Sequence, residues 1–187
     1  MNINDDFTQR IVSHADQSLW QPSPLPGVDR RLLDRVGDEV ARATSVVRYA
    51  PGSRFDAHRH GGGEEILVLD GVFSDESGDY PAGTYLRNPP GSSHAPYSQE
   101  GCVLFVKLWQ FAATDTTPVR LDTRSEPWRP GLVPGLSVMP LHEHDGVSTA
   151  LVRWAPHTRF QPHRHPGGEE IFVLNGVFSD DWGDYPT

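Results

Sequence analysis

Residues 48–82 read RYAPGSRFDAHRHGGGEEILVLDGVFSDESGDYPA, and residues 153–187 read RWAPHTRFQPHRHPGGEEIFVLNGVFSDDWGDYPT. Aligned without a gap, about two-thirds of the positions are identical. A fainter echo precedes each copy: Trp20-Gln21-Pro22 through Pro26-Gly27-Val28 returns as Trp128-Arg129-Pro130 through Pro134-Gly135-Leu136. The repeated unit is therefore about a hundred residues long, which is the size of a domain and too long for a solenoid repeat.

Inside each unit the pattern is that of strands and turns. Ala43–Tyr49, Glu65–Leu69, Val103–Trp109 and Ala150–Trp154 are short and rich in Val, Leu and aromatic residues. Pro-Gly, Gly-Gly-Gly, Ser-Gly-Asp and Pro-Pro-Gly punctuate them, as turns require. The 17 prolines and 18 glycines spread along the whole chain. No segment holds a long 3.6-residue period; the best helix candidate is Asp5–Trp20. The sequence thus predicts an all-β protein of two small antiparallel barrels in tandem. The expected boundaries are an N-terminal extension at 1–20, a first unit at 21–111, a polar linker at 112–126 and a second unit at 127–187. The second copy stops at Tyr185-Pro186-Thr187, where the first runs on through Gly83–Phe111. A barrel without its last strands would expose edges and apolar interior, so the second unit reads as incomplete at its C-terminus.

Composition narrows the classes of function. A hydrophobic content of 36% with 22% charged residues is that of an ordinary soluble domain. A formal net charge of -9 argues against the clustered Lys and Arg of a nucleic-acid surface. The start, Met1-Asn2-Ile3-Asn4-Asp5-Asp6, lacks the basic and apolar regions of a secretory signal. No apolar run is long enough to span a bilayer. With Cys102 as the single cysteine, the reading is a cytoplasmic protein with no internal disulfide.

His58 and His60 are two apart, so on a strand they share one face. Gly61-Gly62-Gly63 turns the chain, and Glu64 opens the next strand, expected over Glu64–Asp70. His94 follows Asn88-Pro89-Pro90-Gly91-Ser92-Ser93, a rigid turn able to aim a fourth group inward. Three imidazoles and a carboxylate form an N/O donor set for one divalent metal, with zinc or Fe(II) foremost and Mn, Ni or Cu within the same range. The second unit repeats His163, His165 and Glu169 while its neighbours change: Gly52 becomes His157, Asp56 becomes Gln161, and Gly61 becomes Pro166. The ligand set is kept where flanking residues are not.

These residues resemble a known family. Gly52-x5-His58-x-His60-x3-Glu64-x6-Gly71 is similar to the first motif of the cupins. Gly83-x5-Pro89-x-Gly91-x2-His94 is similar to the second, with Ser98 where asparagine is usual. The stretch from Gly61 to Phe111 more closely resembles the cupin domains of ChrR-type anti-sigma factors, and the second copy does so as far as it goes. The resemblance implies two double-stranded β-helix (jelly-roll) barrels, the second truncated. It implies metal ligands at His58, His60, Glu64 and His94, and three more at His163, His165 and Glu169. Regulatory members of the family carry an N-terminal zinc-binding anti-sigma domain. The residues before the first strands hold one histidine, His14, and no cysteine, so a sigma-factor partner is not expected. A small-molecule ligand is, and a homodimer is compatible with the pattern.

Other residues carry weaker signals. Tyr85, Arg87, Lys107 and Trp109 are candidates for a pocket lining, although Tyr85 and Trp109 also suit a barrel filling. His142 and His144 have no glutamate or histidine at ligand spacing and read as a surface loop. His157 reads as exposed, Cys102 as a small buried hydrophobe, and Arg54, Arg59, Arg159 and Arg164 as surface groups. No acid, base or nucleophile stands out beyond the ligands. The leading expectation is a metal-dependent oxygenase of cupin type acting on a small oxygenated molecule. A sensory cupin and a metal-stabilised barrel without catalysis are the alternatives, since fold alone does not assign chemistry.

Overall fold

The computed structural model describes residues 1–14 and 17–187. Counting strands of four residues or more, the order is β1 (Val28–Gly37), β2 (Ala41–Tyr49), β3 (Glu64–Asp75), β4 (Gly78–Pro81), β5 (Thr84–Asn88), β6 (Cys102–Leu108), β7 (Val119–Asp122), β8 (Leu136–His144), β9 (Val147–Trp154), β10 (Val177–Asp180) and β11 (Gly183–Pro186). The main sheet runs β7-β5-β3-β6-β2-β1, antiparallel throughout. The second half of β3 leaves it for a smaller layer, pairing with β4 and with Tyr97, which also pairs with Arg54. A further bridge joins His58–Arg59 to Ser93–His94.

Period-2 alternation sorts the side chains. On β3, β5 and β6 the inward residues Ile66, Val68, Leu86, Leu104 and Val106 join Val28, Phe73 and Tyr80 of both layers in one core. Burying each large apolar side chain contributes about 1.5–3 kcal/mol. The outward residues Leu67, Tyr85 and Phe105 face the second copy: Tyr85 clusters with Met139 and Leu141, and Phe105 stacks on Phe172 at 4.5 Å.

Gly71 is the point where β3 changes layers. It has φ +70°, and a Cβ there would lie 2.2 Å from the Gly101 carbonyl oxygen. The adjoining register shift between Val103 and Leu104 is a bulge that the close approach permits. Gly71→Ala is expected to cost about 2–3 kcal/mol of unfolding free energy by urea titration. A loss below about 0.5 kcal/mol would show that the bulge relaxes freely.

The structure does not show two tandem barrels. In the second copy the β8–β9 hairpin with Arg129–Pro130 and the β10–β11 hairpin are separate, and residues 155–176 hold no strand. The physical reason is pairing. In the first copy β3 forms by lying between β5 and β6, and the corresponding segment of the second copy has no such neighbours. Two further expectations change. The segment 112–126 contributes β7 to the main sheet and a buried Asp115. Among the described residues Asp5–Trp20 forms turns and no helix, residues 15 and 16 of that segment lying outside the description. No helix long and apolar enough to cross a membrane is present among the described residues.

Candidate metal centre

His58, His60, Glu64 and His94 come together with their ligating atoms all within 4.8 Å of one another. Each arrives by a separate local device. The bridge between Arg59 and Ser93 sets His58 directly opposite His94. The His60 backbone is clamped to the proline turn, its N–H donating to Ser92 O at 2.9 Å and its carbonyl accepting from Gly91 N at 2.7 Å. Glu64 opens β3 across from Asn88. Between His60 and Glu64, Trp109 lies on the Gly61-Gly62 backbone and Phe111 on Gly63, so closely that a Cβ at Gly62 or Gly63 would be 2.3 Å from a ring atom. The three glycines are therefore a bed for two aromatic rings, and they fix the loop joining the ligands.

The far side of each imidazole has its own partner. His58 Nδ1 donates to Asp56 O at 3.0 Å. His60 Nδ1 donates to Ser92 Oγ at 3.1 Å, that hydroxyl itself donating to Pro89 O. His94 Nδ1 meets Asp75 Oδ2 at 3.3 Å, while Asp75 Oδ1 accepts from Tyr80 OH at 3.0 Å. With the proton held on Nδ1, the Nε2 lone pairs are left bare, the tautomer that metal ligation needs. Those bare atoms converge. His60 Nε2 is 3.3 Å from His58 Nε2 and 3.3 Å from Glu64 Oε2, and His94 Nε2 is 3.4 Å from the same oxygen. Buried His94 Nε2 has no hydrogen-bond partner. Lone pairs gathered around one carboxylate oxygen repel unless a cation lies among them, so the donor set fits a divalent metal. Burial pushes the His60 imidazole below its ordinary value and Glu64 offsets this only in part, which keeps the ring neutral and able to ligate.

Asn88 positions the carboxylate by donating from Nδ2 to Glu64 Oε2 at 2.9 Å, and Arg120 orients the amide by donating to its Oδ1 at 2.6 Å. Sequence reading missed Asn88, Asp75 and Ser92. The signal for Asn88 was parity: it shares the inward face of β5 with Leu86 and lies opposite Glu64. The same parity places Tyr85 and Arg87 outward, Tyr85 donating to Glu65 at 2.8 Å and Arg87 pairing with Glu65 and Asp115. Lys107, also outward, reaches Glu170 at 3.4 Å. Of those four candidates only Trp109 borders the cavity beside the cluster. That cavity has a volume of about 350 Å³ and walls that include Val47, Tyr49, Phe55, Ile66, Phe73 and Leu104.

In the second copy His163 Nε2 and His165 Nε2 meet at 2.6 Å, with Glu169 3.5 Å from the latter, and all three residues are exposed. His142 and His144 sit on β8, not in a loop, and His142 contacts Asp115 at 2.9 Å. Cys102 is buried, which pushes its thiol up to about 11, and His157, Arg54, Arg59, Arg159 and Arg164 are exposed.

Comparison with known proteins adds the following. The family model of the ChrR cupin-like domain matches residues 8–112 and 116–187. No curated protein matches the chain. The structure of a proposed dioxygenase from Nostoc punctiforme superposes at a TM-score of 0.60 with 16% identity, covering 76% of this chain and 56% of its own. The anti-sigma ChrR of Rhodobacter sphaeroides, solved in complex with SigE, gives 0.43 with 23% identity over 51% of each chain. A proposed acetylacetone dioxygenase from Methylibium petroleiphilum gives 0.49 with 20% identity, over 62% of this chain and 92% of its own. The chain thus spans about half the length of the ChrR and Nostoc chains. At these identities the likeness is one of fold.

Proposed function

The chain belongs to the ChrR cupin-like domain family, and from that premise we propose that it binds one divalent metal at His58, His60, Glu64 and His94 to act as an oxygenase of a small oxygenated molecule. The observation that carries this reading is the position of the cluster, in the wall of a 350 Å³ cavity whose other walls are mostly apolar. A metal held only to stabilise the fold is enclosed by its ligands, whereas a catalytic one keeps a side open. Here His58, His60 and Glu64 border the cavity.

A redox-active ion such as Fe(II) would supply the chemistry of dioxygen, which no side chain of the protein can. The chain's own residues bind, orient and exclude. Three neutral imidazoles and the Glu64 carboxylate leave a divalent site with net positive charge, suited to an enolate or carboxylate oxygen. Asn88 keeps Glu64 in one orientation. The apolar walls keep water from the reacting molecule and favour a substrate with a hydrocarbon body.

The test is anaerobic purification with metal analysis, then oxygen uptake with a panel of β-diketones and related enolisable compounds. Stoichiometric Fe(II) with substrate-dependent uptake is the expected result. Tightly held zinc with no uptake on any compound would sink the oxygenase and leave a sensory or structural role. At the second copy the exposed His163, His165 and Glu169 are proposed as ligands only where a fourth group completes them.

A further inference from the structure

Tyr49 ends β2 and is 7% exposed. Its ring borders the cavity between Phe55, at 5.5 Å, and Phe73, edge-on at 6.0 Å. Those two rings in turn abut ligand imidazoles, Phe55 against His58 at 5.8 Å and Phe73 against His94 at 6.0 Å. One ring's width therefore separates Tyr49 from two sides of the metal cluster.

Its hydroxyl breaks a rule that the other buried tyrosines obey. A buried phenol ordinarily finds a hydrogen-bond partner. Tyr80 donates to Asp75 and Tyr85 to Glu65. Tyr49 has no partner among the described residues, its oxygen is not among the buried atoms sealed away without one, and the residue lines the cavity. The repeat carries a different ring at this position. Tryptophan occupies the corresponding place, where Trp154 meets Phe160 at 6.2 Å and Phe178 at 6.0 Å, both edge-on. Burial, the largest cause, pushes the phenol well above its ordinary value, in the direction that favours the protonated donor.

We propose that the Tyr49 hydroxyl donates a hydrogen bond to an oxygen of the small molecule bound at the metal centre, making Tyr49 a specificity-determining residue for ligands with an apolar body and a second oxygen. The assignment rests on the metal-binding reading above.

The experiment uses the full chain loaded with Co(II), titrated with pentane-2,4-dione and separately with azide, and followed by visible absorption. Tyr49→Phe keeps the ring and removes only the hydroxyl. The expected result is unchanged Co(II) stoichiometry, unchanged azide affinity and diketone affinity weakened about tenfold, the worth of one hydrogen bond left unmade. Tyr49→Trp, the residue of the other copy, should lose the diketone at least as severely. Equal diketone affinity in wild type and Tyr49→Phe, no diketone binding to the loaded wild type, or an equal loss for azide would each overturn the assignment while the metal site stands. Failure of the wild-type chain to take up Co(II) would bring down the metal reading and the Tyr49 assignment together.

Discussion

His60→Ala is expected to reduce the metal content of the first site from one ion per chain to near zero, measured by elemental analysis after anaerobic purification. His60 contacts all the other ligands: 3.3 Å to His58, 3.3 Å to Glu64, and ring centroids 4.7 Å from His94. It is also 7% exposed and borders the cavity. Loss of one ligand in four from a site with preset partners removes far more affinity than the 10- to 100-fold of a supporting residue. A second readout separates this from misfolding. An ion that binds only the folded state raises stability by about 4 kcal/mol at a thousandfold excess over its Kd. Wild type should therefore gain thermal stability on adding metal, and His60→Ala should not. Unchanged metal content in the variant would mean that the ligand set is wrong.

Three of the four clustered residues, His58, His60 and Glu64, were legible because their relations are short-range, and His94 because it follows a rigid proline turn. Spacings of two and four residues around a glycine turn fix a shared face, and the repeat showed the same three residues, His163, His165 and Glu169, beside altered neighbours. The residues that hold them were not. Asp75, Ser92 and Asn88 are ordinary polar letters in a strand or turn, and only long-range pairing brings them to His94, His60 and Glu64. Tyr85, Arg87 and Lys107 were drawn toward the site by sequence proximity, but strict alternation from inward Glu64, Leu86 and Leu104 turns them to the opposite face. That the structure shows no second barrel has the same root. The repeated sequence in residues 153–187 does not reproduce the first fold, because β3 exists through β5 and β6 on either side of it. Strand formation depends more on cross-strand neighbours than on local preference.

That opposite face carries the last prediction. Asp115→Ala is expected to destabilise the chain by about 3–5 kcal/mol in a urea titration near neutral pH. Arg87 lies under the ring of Phe111 at 4.0 Å, with its guanidinium shared between Glu65 Oε2 at 2.9 Å and Asp115 Oδ2 at 2.5 Å. His142 of the second copy donates to the same Asp115 oxygen at 2.9 Å. Asp115 is 2% exposed and Arg87 5% exposed, so removing the carboxylate leaves a buried cation with half its partners and an imidazole with none. The part-exposed pair Arg42–Asp34, also at 2.9 Å, is the comparison, and Asp34→Ala should cost under about 1 kcal/mol. The pH dependence has a definite sign. Burial alone would raise the Asp115 carboxyl, but the His142 hydrogen bond and the Arg87 charge outweigh it and hold the group below its ordinary value. Its contribution is therefore fully present above the unfolded value of about 3.9 and is lost as pH falls through the lower folded one. The gap between wild type and Asp115→Ala should stay level from neutral pH down to about 5 and close on further acidification. A cost no larger than that of Asp34→Ala, or a gap that widens in acid, would show that the two copies are held together by Tyr85, Met139 and Phe105 packing and not by this carboxylate.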